Sequence, residues 1–289
     1  GVCRVLDSRK NIIDFEELWF FWTSKRMVEK SLEQNTGMIL VTGPTGSWKT
    51  TTLYTMIGRL NTRDVKIITL EDPIEYEMIG VVQSEVDERK WLTFEIGLKS
   101  LMRQDPDIIM VWEIRDAETL NTAVNASLTW HLVISTLHTK SAAETLDRLR
   151  NMGLQNFLIA SSLNTIIAQR LVRKICSHCK TEKVKTPIEE ALIRDMMTGT
   201  GMKGIPVENI KLYHWAGCEK CHHSGFHWRI GVYEIINLNE RLRDLIRAGA
   251  KTEDVIKEAR SGDLITMNED GILKAIRGHT TIEEILRVI

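Results

Sequence analysis

The segment GPTGSWKT at residues 43–50 has the residue types and spacing of a loop that wraps phosphates. Gly43, Pro44, Thr45, Gly46, Ser47 and Trp48 would line the anion with backbone N–H groups, and Lys49 would neutralise it. Thr50 would coordinate Mg²⁺, and Thr51 would complete the nucleotide-binding set at the start of a helix. The pattern asks for glycine at position 48, where the backbone passes close to the phosphates, yet the chain has Trp48. An ordinary glycine-rich turn is the alternative, and the flanking apolar run and helix-like stretch speak against it. Glu113 follows the apolar run IIMV, where a carboxylate can polarise an attacking water and help hold a metal. Glu71 and Asp72 close a second apolar run, and His138 closes a third, within reach of a γ-phosphate. One strand-end carboxylate is ordinarily a solvated cap; three strand ends facing one loop read as a nucleotide-hydrolysing site.

Cys176, Cys179, Cys218 and Cys221 form two C-x-x-C pairs with 38 residues between them. Four thiolates suit tetrahedral Zn²⁺ with no open position, hence a structural site, whereas a redox role would need one pair only. His178, His222 and His223 are spare donors expected in solvent, and Cys3 stands apart as a buried apolar residue.

These groups need elements to carry them. Residues 23–34 read as a helix and 38–42 as a strand, which the phosphate loop joins to a helix over 49–60. Strands at 66–70, 108–111 and 131–135 alternate with helices at 94–102, 117–128 and 141–150. Such alternation predicts a parallel α/β sheet with its ligand at the carboxyl ends of the strands. From Arg173 the composition turns to Cys, His, Lys and Gly, with residues 196–204 read as a loop. Beyond a strand over 229–236, the rest reads as mostly helical, and the amphipathic stretch 241–249 is expected in the core. The expected division is 1–35 as the tail of an N-terminal domain, 36–172 as an ATPase core, 173–228 as a zinc-binding module and 229–289 as a mostly helical subdomain.

A chain of 289 residues, 43% hydrophobic, can fill sizeable cores. Lys and Arg number 38 against 39 Asp and Glu, so no global field draws it to nucleic acid or an anionic membrane. Its apolar runs fall far short of the roughly 18 residues of a membrane span. No secretory leader is visible, which predicts an intracellular protein, and the abrupt opening on Gly1 predicts a missing upstream part.

The segments GPTGSWKTTTLY, TLEDPIEY, LMRQDPDIIMVWEIRD and TWHLVISTLHT together resemble, in order and spacing, the Walker A, Asp-box, Walker B and His-box motifs of the secretion ATPases that power type II secretion and type IV pilus assembly. The resemblance runs from about Arg4 to Ile289. It implies a homo-hexameric motor with a RecA-like core that hydrolyses ATP with Mg²⁺, with Glu113 and Glu71 as catalytic carboxylates and His131 and His138 as site histidines. It also implies an N-terminal domain that supplies arginines to the site, an inner-membrane platform protein as partner, and pilins or pseudopilins moved indirectly. The enzyme would be cytoplasmic and peripheral to the membrane. Within that family a tetracysteine module marks assembly and secretion motors rather than retraction motors. Two other classes stay open: a DNA-translocating hexamer, disfavoured by the neutral charge, and an inactive scaffold if Trp48 is genuine.

Tryptophan is over-used, 8 against 6 Phe and 4 Tyr. Trp48, Trp112 and Trp130 replace motif glycines of the resembled family, and glycine also suits Trp19, Trp22, Trp91, Trp215 and Trp228. A gene that reads UGA as glycine, translated by a table that reads it as tryptophan, would account for all of them.

Overall fold

In a computed structural model, the described residues are 13–87, 89, 92–200 and 206–289. Cys3, Trp91 and residues 201–204 lie outside them.

Nine strands and eleven helices follow one another as α1 (Trp22–Leu32), β1 (Gly37–Thr42), α2 (Lys49–Leu60), β2 (Ile67–Glu71), β3 (Val81–Glu85), α3 (Phe94–Leu101), β4 (Ile108–Val111), α4 (Ala117–Leu128), β5 (Leu132–Leu137), α5 (Ala142–Asn151), α6 (Asn156–Ser162), β6 (Leu163–Ile175), β7 (Lys180–Lys183), α7 (Pro187–Thr200), β8 (Leu212–Trp215), β9 (Phe226–Asn237), α8 (Glu240–Arg247), α9 (Thr252–Arg260), α10 (Met267–Ile276) and α11 (Ile282–Val288) among the described residues. The main sheet has the order β3-β2-β4-β5-β1-β6-β9. Its first six strands are parallel and β9 returns antiparallel to β6. A second sheet pairs β7 with β8.

The central strands are apolar because both of their faces are covered. From β1, Met38 and Leu40 join the cluster formed with Leu98, Leu120 and Leu146 of α3, α4 and α5. Ile39 and Val41 point the other way, onto Leu53, Met56 and Ile57 of α2 and Val28 of α1. The helices that follow the polar strand ends are capped at once. Asp116 Oδ1 accepts from Thr119 N at 2.7 Å and Ser141 Oγ from Glu144 N at 3.1 Å, which pins the short segments that carry Glu113 and His138.

One expectation changes. Residues 196–200 belong to α7, because Ile193 and Met196 are buried against Ile272 and Leu273 of α10, a packing that composition alone does not reveal. The C-terminal helices share cores with the rest of the chain: Ile272, Leu273 and Ile282 pack with Ile193 and Met196 of α7. Leu242, Ile246, Val255, Met267 and Ile285 join the main core, and β9 completes the large sheet.

Candidate phosphate-binding site and cysteine cluster

The loop after β1 turns through Gly43 and Gly46, the latter left-handed at φ +78°, and delivers Lys49 as the first residue of α2. Lys49 Nζ donates to the carbonyls of Gly43 at 2.8 Å and Pro44 at 3.3 Å, so the ammonium is folded back over its own loop. Burial pushes its pKa down, opposed by the nearby Glu113 carboxylate. Ser47 Oγ donates to the Pro44 carbonyl at 2.8 Å. Beneath the loop the buried Gln169 of β6 donates its amide to the Ser47 carbonyl and accepts from Thr52 Oγ1 at 2.9 Å.

The register brings Thr42 opposite Leu137, and Val111 opposite Ser135, so the ends of β1, β5 and β4 lie side by side. Glu113 accepts from Arg115 Nε at 2.9 Å and lies 2.9 Å from His138 Nε2. Lys49, Glu113 and His138 are thus brought to one place. Trp112 intrudes: its indole N–H donates to Thr50 Oγ1 at 3.2 Å, the hydroxyl expected to serve Mg²⁺.

Two expected members are not brought there. Glu71 is fully buried and saturated, taking the Tyr54 hydroxyl, Thr69 Oγ1 at 2.5 Å and Gln83 Nε2 at 3.0 Å. Burial and the Glu71 carboxylate together push the Tyr54 phenol pKa up, which keeps it a donor. His131 precedes β5, whereas His138 follows it, so about 20 Å of strand separates them at roughly 3.3 Å per residue. Its Nδ1 pairs with the Ala126 carbonyl at 3.0 Å. Asp72 pairs with Arg115, at 3.7 Å.

All four Sγ atoms of Cys176, Cys179, Cys218 and Cys221 lie within 4.8 Å of one another. The separations are 3.9 Å for Cys176–Cys218, 3.8 Å for Cys179–Cys221 and 3.7 Å for Cys218–Cys221. A tetrahedral ion with bonds of about 2.3 Å requires roughly 3.8 Å between sulfurs, so the set fits a metal ion. Burial works against a Cys221 thiolate, but the N–H groups of Cys218 and Gly225, both 3.3 Å from its sulfur, outweigh this and hold its pKa at about 6.

The type II/IV secretion system protein family matches residues 2–287. The chain belongs to this family. Type II secretion system protein E of Dickeya dadantii is 42% identical over 287 residues, 99% of this chain and 55% of that protein. The type IV pilus assembly ATPase PilB of Pseudomonas aeruginosa is also 42% identical over 287 residues, 99% of this chain and 49% of that protein. The chain therefore spans about half the length of these relatives. The crystal structure of the pilus retraction motor PilT with bound ADP is 29% identical with a TM-score of 0.71, covering 97% of this chain and 68% of PilT.

Other parts of this secretion-family chain escape a sequence reading. On the far flank of the phosphate loop, a cavity of about 280 Å³ is lined by Arg170, Arg173, Arg229, Glu284 and Arg287. Burial opposes ionisation of Glu284, but Arg287 and Arg173 outweigh it and hold its carboxyl at about 2. Arg170 and Arg173 come from β6, and only the chain's return through β9 and α11 adds Arg229, Glu284 and Arg287, which no spacing announces.

Proposed function

We propose that this chain is the catalytic part of an ATP-hydrolysing homo-hexameric motor that powers assembly of a type IV pilus or a type II secretion pseudopilus. The observation that carries the reading is the convergence of Lys49, Glu113 and His138 at the phosphate loop, with Glu113 and His138 2.9 Å apart. The relatives named type II secretion system protein E and type IV pilus assembly ATPase PilB support it. The sheet, with its loop between a parallel strand and a helix, is read as a RecA-like core, and the four cysteines as a structural zinc site.

In this reading the N–H groups of Gly46, Trp48 and Lys49 face the phosphates, and Lys49 swings from the Gly43 and Pro44 carbonyls onto their charge. Thr50 would hold Mg²⁺, which supplies further charge neutralisation. Glu113 orients and deprotonates the attacking water, and His138 donates towards the γ-phosphate. Glu71 acts through Tyr54 of α2 as a positioning residue. The motor is cytoplasmic, peripheral to the membrane, and hands its motion to an inner-membrane platform protein that moves pilins or pseudopilins. Among the described residues no helix is long and apolar enough to cross a membrane.

Phosphate release from Mg²⁺-ATP by the intact protein is the test. In a Trp48→Gly background, Lys49→Ala and Glu113→Gln should each lower the rate by roughly 100-fold or more. An unchanged rate in either variant would sink the proposal. Stimulation by DNA would point to a translocase instead.

A further inference from the structure

Among the described residues, seven that are not glycine have left-handed backbone: Trp19, Trp48, Asp105, Trp130, His222, His223 and Trp228. Asp and His are types that tolerate this region; tryptophan is not, because its Cβ and ring crowd the following carbonyl. An aromatic ring as such is no cause, since none of the 6 Phe or 4 Tyr is left-handed. Nor do the rings hold the backbone there by burial, since Trp130 is 86% and Trp228 58% exposed.

Each of the four stands where a chain ordinarily uses glycine. Trp19, at φ +64°, closes the 3-10 turn Phe15–Leu18, and Trp130, at φ +70°, follows the last turn of α4. Trp228, at φ +75°, sits inside β9. There His227 and Trp228 together oppose the single Lys174, between the pairs Phe226–Ile175 and Arg229–Arg173. That is a β-bulge of the kind whose left-handed residue is glycine. Trp48, at φ +66° and ψ +30°, immediately precedes Lys49 in the phosphate loop. Its ring leans towards that of Trp228, centroids 6.1 Å apart, beside the loop.

We infer that positions 19, 48, 130 and 228 are glycine in the protein its own cell makes, each encoded by UGA, a codon read as glycine in some genetic codes and as tryptophan in others. One reassigned codon accounts for four backbone anomalies spread over a 3-10 turn, the phosphate loop, the end of α4 and a bulge of β9. The inference rests on backbone conformation and stands whether or not the loop turns over ATP. With glycine at 48 and 228 the two rings beside the loop are gone, and the backbone at position 48, just before Lys49, is unstrained.

Two measurements decide it. The gene should carry UGA at all four positions; UGG at any one of them overturns the inference. In protein isolated from its own cells, peptides spanning positions 48 and 228 should have the masses of the glycine forms. Peptides with the tryptophan masses would overturn it whatever the codons are. A stability readout adds to these: in the chain as written, Trp130→Gly and Trp228→Gly together should raise the unfolding midpoint by roughly 5 °C, since left-handed strain is relieved at two exposed sites. A lower midpoint would count against glycine at these positions.

Discussion

At the phosphate loop the working groups come from separate strand ends, Lys49 after β1, Glu113 after β4 and His138 after β5, and they meet only because the parallel register aligns those ends. At the cysteine cluster the four sulfurs come from two tight local turns, and only the pairing of those turns is tertiary. The loop is open, with Lys49 parked on its own carbonyls; the cluster is closed, with three of its cysteines buried and their sulfurs turned towards one another. In the proposed reading, the loop that exchanges nucleotide is spread over a rigid sheet, whereas the cluster that holds zinc is built into the chain itself.

On the proposal that the four cysteines hold zinc, removing that ion should give the largest effect, because structural zinc contributes on the order of 10–16 kcal/mol of apparent binding energy to such modules. Cys221→Ser should lose the bound metal, read by elemental analysis, and should open residues 176–225 to proteases. Nucleotide binding at the loop should persist. Loss of nucleotide binding together with the metal would erase the distinction between the two regions.

A second test strikes the join between them. Asp270 and Lys274 form a buried ion pair at 2.6 Å on α10, and both reach β9: Lys274 Nζ donates to the Gly231 carbonyl at 2.7 Å and Asp270 accepts from Tyr233 N at 2.8 Å. Burial alone pushes the Asp270 pKa up and the Lys274 pKa down, so each charge depends on the other. Lys274→Met should cost about 3–5 kcal/mol in urea unfolding by stranding a carboxylate, whereas Lys274→Met combined with Asp270→Asn should cost less. Equal losses would mean that the pair does not work as a unit.

On the open side, Tyr54→Phe removes one donor from the buried Glu71 and leaves Thr69 and Gln83 to serve it. The expected loss is about 1–3 kcal/mol, with ATP turnover lowered through α2 rather than abolished. Abolished turnover at full stability would make Tyr54 a catalytic residue instead of a positioning one.

What is legible in the sequence follows the same division. The phosphate loop, Glu113, His138 and the four cysteines can be read because apolar runs of strand length end on them, or because their spacing is local. β4 and α4 fall on their expected bounds, since both combine a clear period with strong end signals. The edge strand β3, with its half-exposed Val-Val-Gln-Ser-Glu, gives no such signal. Gln169 under the loop and Glu284 beside it depend on where β6 and α11 land, which no local pattern encodes. Glu71 does end the strand expected for it. Its side chain nevertheless turns inward, because Tyr54, Thr69 and Gln83 offer it more hydrogen bonds than the site does. His131 shows the limit of reading motif order: it flanks the same strand as His138 but lies at that strand's opposite end.

The smallest expected effect is a pH dependence at the seam where the cysteine module meets the C-terminal helices. His279 donates no charge there. Its carbonyl accepts from Ile175 N at 2.9 Å, one residue before Cys176, and its half-buried ring lies edge-on to Trp19 at 4.9 Å. Burial, and then the cations Lys174, Lys180, Arg277 and Lys274, push its pKa down from 6.5 to about 4. The folded value lies below the unfolded one, so the unfolded chain takes up a proton that the folded chain refuses. Stability is therefore unaffected above pH 6.5, falls as the pH drops from 6.5 towards about 4, and levels off below that. Because the ring is only half-buried, the slope should be a fraction of the roughly 1.4 kcal/mol per pH unit of one full proton. Urea midpoints of the parent and His279→Gln, compared across that window, should diverge towards neutral pH as the parent gains stability that the variant does not. A glutamine cannot stack an aromatic edge on Trp19, which offsets the variant's curve by a constant and leaves its slope unchanged. Parallel curves would mean that neither burial nor the four cations around His279 depress its protonation, and that the seam, unlike the buried pair on α10, carries no coupling to pH.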